Sequence, residues 1–495
     1  MKENVKKILL SVLFLCILTS SLYYVNWLLR PKYFLSNSSW PSTETYNGFY
    51  NMKKNTVDVL FLGSSVAVNN FCPQKIYNDY GIRSYNLGSE QQSIILSYFW
   101  LKEALRFQKP KVVVLEGRFL RNFHPESPLN TTEGLTRKCI DPMHLSLVKM
   151  EAIDTICKID KKQTILSYYL TNFRFHTRWK GLNESDFVKK NQSIHKGWLF
   201  GKDGFDKKYK PITNVNFSKV KPIEKQKVME EYYVKIRDLC KKNEIKLITV
   251  ITPQKGYDDS KYVFYKELCR KHGVERVDLN EETYYRQICK NPPVENVLNH
   301  GNFRGNMKIS AFIGKLLHDK YKVKSFKDIQ FENTKFALNN IEKNYKVSDT
   351  KDIDNYLRLI KDDRYTIIVS AKDDAANNMK NSSKLLLKDI GFKQNWDRKT
   401  MFRKSYIGVK TNGEIYEYSG GPLNKAGRFR NKNDGYRIKS SGYKDLGGAK
   451  SSILVKGREY SKNSRGLNFV IYDNEFQMVI DSVCFDTCGN SQAKR

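Results

Sequence analysis

Twenty-two consecutive residues, Ile8 to Leu29, carry no charged side chain, and Lys2, Lys6 and Lys7 stand just before them. At about 1.5 Å rise per residue, a helix of this length is long enough to cross a bilayer. Tyr23, Tyr24 and Trp27 lie at its far end, where aromatic side chains favour the membrane interface. No cleavage site of small residues follows the apolar core, which favours a retained signal-anchor over a removable leader. The lysines on the short N-terminal side predict that end inside. The expectation is therefore a single crossing at the cell membrane, with residues 1–30 as cytoplasmic stub and anchor and the bulk of the chain extracytoplasmic. No other segment of the 495 residues is long and apolar enough to span.

That compartment bears on the charge. Lys and Arg number 86 against 52 Asp and Glu, a formal net charge of +34. Nucleic-acid binders concentrate such a surplus in a patch. Here +11 falls on residues 325–495 and +23 on residues 1–324, a nearly even density. Even spread on an exported chain argues against a nucleic-acid partner and for life beside anionic envelope polymers. The nine cysteines include no C-x-x-C pair and no zinc-ligand spacing, so no metal and no cofactor is implied. Eight of them follow the apolar run; disulfides there are open, and the sequence gives no connectivity.

Hydropathy divides the remainder. Residues 31–55 are polar and turn-rich and read as a linker. Val57-Asp-Val-Leu-Phe-Leu62, Lys111-Val-Val-Val-Leu-Glu116, Ile245 to Pro253 and Val274 to Asp278 have the continuous apolar character of buried parallel strands. Helical periodicity between them, as at Ile94 to Phe107 and Tyr262 to His272, predicts a doubly wound α/β domain over 56–324. A long aromatic and basic insertion, about 123–225, is expected to be irregular and to wall the site at the carboxyl ends of the strands. After residue 324, Gly and Asn become frequent and the strand patterns shorten. Residues 325–495 therefore read as a second, α+β module, with strands at Tyr365–Val369, Tyr406–Val409, Ser452–Val455 and Leu467–Tyr472 and a helix at Ser382–Ile390.

Two residues carry chemistry in the first domain. Phe61-Leu-Gly-Ser-Ser65 sets a serine just after a buried strand, with a glycine free to make the turn. A serine there is equally a helix N-cap. Near the end of the domain stands His300-Gly-Asn-Phe-Arg-Gly-Asn-Met-Lys-Ile-Ser310, followed by a helical run. A serine early and a histidine late is the order needed for a nucleophile and its general base.

These blocks, with Tyr85-Asn-Leu-Gly88 and Val112-Val-Val-Leu115 between them, resemble the SGNH/GDSL hydrolase superfamily over about residues 56–322. The nearest branch is its membrane-anchored, acyltransferase-like members that acylate cell-surface polymers. The resemblance implies a flavodoxin-like parallel sheet, Ser65 as nucleophile, His300 as base, and the amides of Ser65 and Gly88 as oxyanion donors. Two positions depart from the family. Val297 stands where an Asp normally precedes the histidine by three; Glu295, Asn296, Asn299 or a backbone carbonyl are the substitutes in reach. Glu116-Gly117 stands where the family's oxyanion Asn is expected, with Asn122 further on.

The second module resembles the interleukin-like EMT-inducer (ILEI) domain over about residues 350–490. The matching stretches are Ile367 to Ala376, Lys384 to Gly391, Phe402-Arg-Lys-Ser-Tyr406 and Arg465-Gly-Leu-Asn-Phe-Val-Ile-Tyr-Asp473 through Thr487. The order of its halves is exchanged relative to that family, as a circular permutation would produce. The resemblance implies glycan binding through Asp373 and Arg403. Two expectations follow. One is a membrane-anchored O-acyltransferase or esterase acting on a cell-surface or capsular polysaccharide, supplied by a membrane-bound acyltransferase partner. The other is a non-catalytic, membrane-tethered glycan-binding or assembly protein on a degenerate SGNH scaffold.

Overall fold

The computed structural model describes residues 2–31, 42–182, 196–199, 206–224, 226–290, 292, 295–332, 335–430, 435–443, 445, 447–475 and 478–495. They form two compact units, residues 1–338 and 339–495. The division falls some fourteen residues past the one expected from composition, within a helix, Lys335–Asp349.

The first unit begins with α1 (Lys2–Leu29), the one helix among the described residues long and apolar enough to cross a membrane. Next comes α2 (Ser42–Tyr50), inside the stretch expected to be linker. Its Tyr46 and Phe49 are fully buried, and Tyr46 stacks on Trp100 with ring centroids 4.0 Å apart, so this segment belongs to the domain core.

Five strands then make a parallel sheet: β1 (Val59–Leu62), β2 (Ser84–Asn86), β3 (Val112–Glu116), β4 (Lys246–Ile251) and β5 (Glu275–Asp278). Their order is β2-β1-β3-β4-β5, every pair parallel. Alternation along each strand feeds two cores. Leu60, Leu62, Val113, Leu115 and Leu247 enter one cluster with Phe99, Tyr233 and Ile236. Val59, Phe61, Val114, Ile248 and Val277 enter the other with Ile76, Ile309 and Ile313. Helices thus cover both faces, which is what continuous apolar strands require. Successive connections leave β1 toward opposite edges of the sheet, so its carboxyl end is the point where the strand order reverses.

Four helices cross the described part of the insertion, α6 (Glu133–Ile140), α7 (Leu147–Ile159), α8 (Ile165–Tyr169) and α9 (Asn172–Phe175), in place of the irregular chain expected. The short helices α3 (Ser65–Asn70), α4 (Pro73–Tyr80) and α5 (Ile94–Ala104) lie earlier in the chain. The nine cysteines form no disulfide, and seven of them are buried.

The second unit is built on one ten-stranded sheet. Its strands are β6 (Tyr365–Asp373), β7 (Ser405–Thr411), β8 (Glu414–Gly420), β9 (Leu423–Arg428), β10 (Gly435–Gly442), β11 (Lys450–Val455), β12 (Arg458–Glu459), β13 (Gly466–Asp473), β14 (Met478–Phe485) and β15 (Ala493–Lys494). Pairing is antiparallel except where β10 meets β6. Helices Ile353–Ile360 and Asn381–Ile390 cover one face, packing Leu357, Ile360 and Leu387 on Ile367, Val369 and Phe469. The chain's entry into this unit and its end lie together: Asp352 bridges Gln492, and the Ala493 amide donates to the Lys351 carbonyl.

Candidate functional site

Ser65 Oγ and His300 Nε2 lie 2.8 Å apart, brought together across 235 positions of sequence. The turn after β1 is what makes the approach. Gly63 sits at φ +141°, and a Cβ there would stand 2.8 Å from the Glu116 Cβ on β3. A side chain at that position would be strained in its own backbone and would press on the neighbouring strand. Two serines follow, with different duties. Ser64 is the N-cap of α3 and its hydroxyl accepts from the Val66 amide. Ser65, 9% exposed, keeps its hydroxyl for the imidazole.

The histidine loop is held by the residues of its own motif. Asn302 caps the closing helix Phe303–Asp319, its Oδ1 accepting from the Gly305 amide at 2.9 Å. Gly305 lies so near the Asn296 carbonyl that a Cβ would meet its oxygen at 2.0 Å. Ser310 donates to the Asn70 carbonyl and accepts from the Cys72 amide, tying the closing helix to the end of α3. Lys308 pairs with Glu295 at 3.3 Å.

Asn299, just before the histidine, adopts a left-handed backbone at φ +52°. Its amide donates to the Pro253 carbonyl, and its own carbonyl accepts from Asn70 Nδ2 at 3.0 Å. Its Oδ1 accepts from Arg118 Nη1 at 3.1 Å and from the Lys255 amide at 3.3 Å. One asparagine therefore joins the histidine loop to α3 and to the chain leaving β3 and β4. Val297 is wholly buried in the apolar core and supplies no carboxylate to the site.

Gly88 lies beside the same turn, close to the Gly63 carbonyl, and its amide donates to Asn86 Oδ1 at 3.0 Å. The Asn86 Nδ2 group donates in turn to the Ala67 and Phe71 carbonyls, clamping α3 to the end of β2. Glu116 ends β3 in full burial. It accepts from the Arg118 amide at 3.2 Å and from Thr252 Oγ1 at 3.1 Å, and burial raises its carboxyl to about 7. The insertion reaches this region through residues 196–199. Trp198 Nε1 donates to the Asn69 carbonyl, and its ring meets Phe303 edge-on at 6.1 Å.

The arrangement has the parts of nucleophilic catalysis. With the ring proton on Nδ1, Nε2 accepts from the serine hydroxyl and takes its proton as Oγ attacks. Asn70 and Arg118 escape sequence reasoning. A signal for Asn70 was present, because Asn69-Asn70 is a polar pair on an otherwise apolar stretch, Val66-Ala-Val68.

In the second unit, Asp373 and Arg403 flank one glycine. Gly442 pairs with Asp373 across the β10–β6 contact, and a Cβ on Gly442 would meet the Arg403 carbonyl oxygen at 2.1 Å. Both flanking residues have left-handed backbones, at φ +63° and +54°. Strain of this kind at non-glycine residues collects at functional positions. The Arg403 guanidinium lies 4.1 Å from the Tyr443 ring centroid and 5.0 Å from that of Phe402, and both rings are exposed. Arg465, bonded to Asp486 at 2.9 Å, also feels the Asp373 carboxylate. The sequence motif contains Phe402 but gives no hint of Tyr443.

Compared with known protein families and with characterised proteins, the chain matches none.

Proposed function

We propose that this chain is a membrane-anchored, extracytoplasmic SGNH-type O-acyltransferase or esterase acting on a cell-surface polysaccharide. The observation that carries the reading is the 2.8 Å contact between Ser65 and His300 at the carboxyl end of β1. The strand order reverses at β1, and open sheets of this flavodoxin-like order bind their ligands at the carboxyl ends of the strands at such a switch point. Ser65 Oγ attacks the acyl carbonyl of an activated ester while His300 takes the hydroxyl proton. The donor's alcohol or thiol leaves with that proton, and the acyl-serine then passes its acyl group to a sugar hydroxyl or to water.

The second unit is read as an ILEI-like glycan-binding module. Asp373 accepts from sugar hydroxyls, Arg403 donates to them, and Phe402 and Tyr443 offer apolar faces for the ring. The meeting of Lys351 and Asp352 with Gln492 and Ala493 supports a circularly permuted form, because joined termini allow a fold to reopen elsewhere. Covalent linkage of the modules raises the polymer's effective concentration at the serine. The full chain should turn over an activated acetyl ester, and Ser65→Ala should not; equal turnover by both defeats the reading.

One observation favours the second reading, a non-catalytic glycan-binding protein. Position 297, where the resembled family carries the Asp that fixes the tautomer and stabilises the imidazolium, is a buried valine. Glycan binding that survives Ser65→Ala, with no turnover by the unaltered chain, is the result expected of it.

A further inference from the structure

The end of α1 is part of the folded domain. Asn26 accepts through Oδ1 from Thr171 Oγ1 and from the Asn172 amide, and its Nδ2 donates to the Tyr169 carbonyl. Arg178 donates to the Leu29 carbonyl, Arg30 donates to the Asp141 carbonyl, and Leu29 is buried. Below Asn26 the helix is bare: Ile8 to Val25 are all exposed. Those eighteen residues span about 27 Å, close to the roughly 30 Å hydrocarbon core of a bilayer. A spanning helix of this length leaves no slack between lipid and domain. The residues that grip Asn26 must then lie at the membrane boundary.

The same segments, and α7 just before them in the chain, carry large exposed apolar side chains. Leu147 on α7 is 82% exposed, Phe173 on α9 63%, and Trp179 in the turn His176–Gly181 65%. Ile165, Leu166 and Leu170 are exposed beside them. Phe173 directly follows the Asn172 that holds Asn26, and Trp179 directly follows the Arg178 that holds Leu29. Exposed Arg174 and Lys180 are interleaved, and the Lys180 ammonium lies 5.6 Å from the Trp179 ring centroid. Aromatic and leucine side chains mixed with cations are the composition of a surface that lies in the headgroup region.

We infer that α7–α9 and the His176–Gly181 turn form a membrane-contact surface, inserting Leu147, Leu166, Phe173 and Trp179 into the bilayer interface around the foot of the anchor. The inference rests on α1 being a span, as in the proposed function. The occupant is lipid, with anionic headgroups favoured by the basic residues among the apolar ones. The insertion thereby has a second role, distinct from the wall it builds near Ser65 through Trp198.

The test uses the full chain reconstituted in phosphatidylcholine–phosphatidylglycerol vesicles, with or without acyl chains brominated near the headgroup. The fluorescence difference between the unaltered chain and Trp179→Phe isolates Trp179, and Trp27→Phe does the same for the anchor. Quenching of both, by about twofold or more for Trp179, is the expected result. Quenching of Trp27 alone overturns the contact surface while leaving the anchor standing. Quenching of neither, with release of the chain by alkaline carbonate, overturns the anchor and the surface together. A Leu166→Asp/Phe173→Asp variant should stay membrane-bound through α1 and lose the Trp179 quenching; unchanged quenching refutes the assignment. Trp179 unquenched in vesicles but protected from hydroxyl-radical oxidation in native membranes would assign the surface to another membrane protein and overturn the lipid proposal.

Discussion

Ser65 is 9% exposed and reaches a histidine 235 positions away, whereas Arg403 lies over two exposed aromatic rings. Both places use left-handed backbone, Gly63 and Asn299 in the first unit, Asp373 and Arg403 in the second. The difference lies in what surrounds it. The first site is fixed from several elements at once, as the proposed attack by the Ser65 hydroxyl would require, since a nucleophile must be held within a fraction of an ångström of its base. The second sets Arg403 against two exposed rings, as the proposed capture of a polymer would require. Strained backbone aims a side chain in both; burial decides whether that side chain is suited to reaction or to capture.

Experiments that separate the two begin with the largest effect. Ser65→Ala should lower ester turnover by roughly 10³-fold or more while leaving glycan binding intact; loss of both would mean the units are not functionally separate. Glu116 comes next. Its carboxyl has a folded value of about 7 against an ordinary 4.5, because burial disfavours its charge. The stability tied to this group is fully present below pH 4.5 and is lost as pH rises through about 7, a fall on the order of 3 kcal/mol. Urea unfolding at pH 5 and pH 8 should reveal it, and Glu116→Gln should flatten the dependence. Asn299→Gly keeps the backbone shape but removes the bonds to Arg118 and Lys255, so kcat should fall by about tenfold with KM little changed. Smallest is Arg403→Lys, expected to weaken glycan binding by roughly five- to tenfold through loss of the planar fork over Tyr443. A glycan array showing no change would move the binding surface elsewhere on the module.

Much of the first unit could be read directly, because strands buried on both faces announce themselves as apolar runs. All four such runs became strands of the parallel sheet. The fifth, Ser84–Asn86, has three residues and two polar side chains, so it has no hydropathic signature; its Asn86 side chain serves the clamp on α3. The helix Ser42–Tyr50 was equally silent, since S-T-E-T-Y-N-G-F-Y reads as turn until Tyr46 finds Trp100. In the second unit the expected strands at 365–369, 406–409, 452–455 and 467–472 are present and the helix is Asn381–Ile390, but β14, the short β12 and β15, and the run β8, β9 and β10 went unseen. Residues of β8 and β9 alternate between exposed and half-buried, those of β10 between exposed and buried, and their glycines and charges resemble loop. The meeting of Ser65 and His300 was legible as chain order alone. Asn299 was legible only as an amide near the histidine, and its four partners lie 44 to 229 positions away. Of the N-x-[ST] sequences, Asn130-Thr-Thr132 has its asparagine buried and accepting from the Phe123 and His124 amides, and Asn183-Glu-Ser185 falls outside the described residues.

The unjoined cysteines have a practical consequence. Burial pushes the thiols of Cys72, Cys240 and Cys484 up to about 12, so at neutral pH they hold almost no thiolate. Without thiolate there is little exchange, oxidation or metal capture. A chain read as working outside the cytoplasm thus owes none of its stability to an oxidant. Reductant should leave its unfolding transition where it was, and production in a reducing host needs no disulfide-forming machinery.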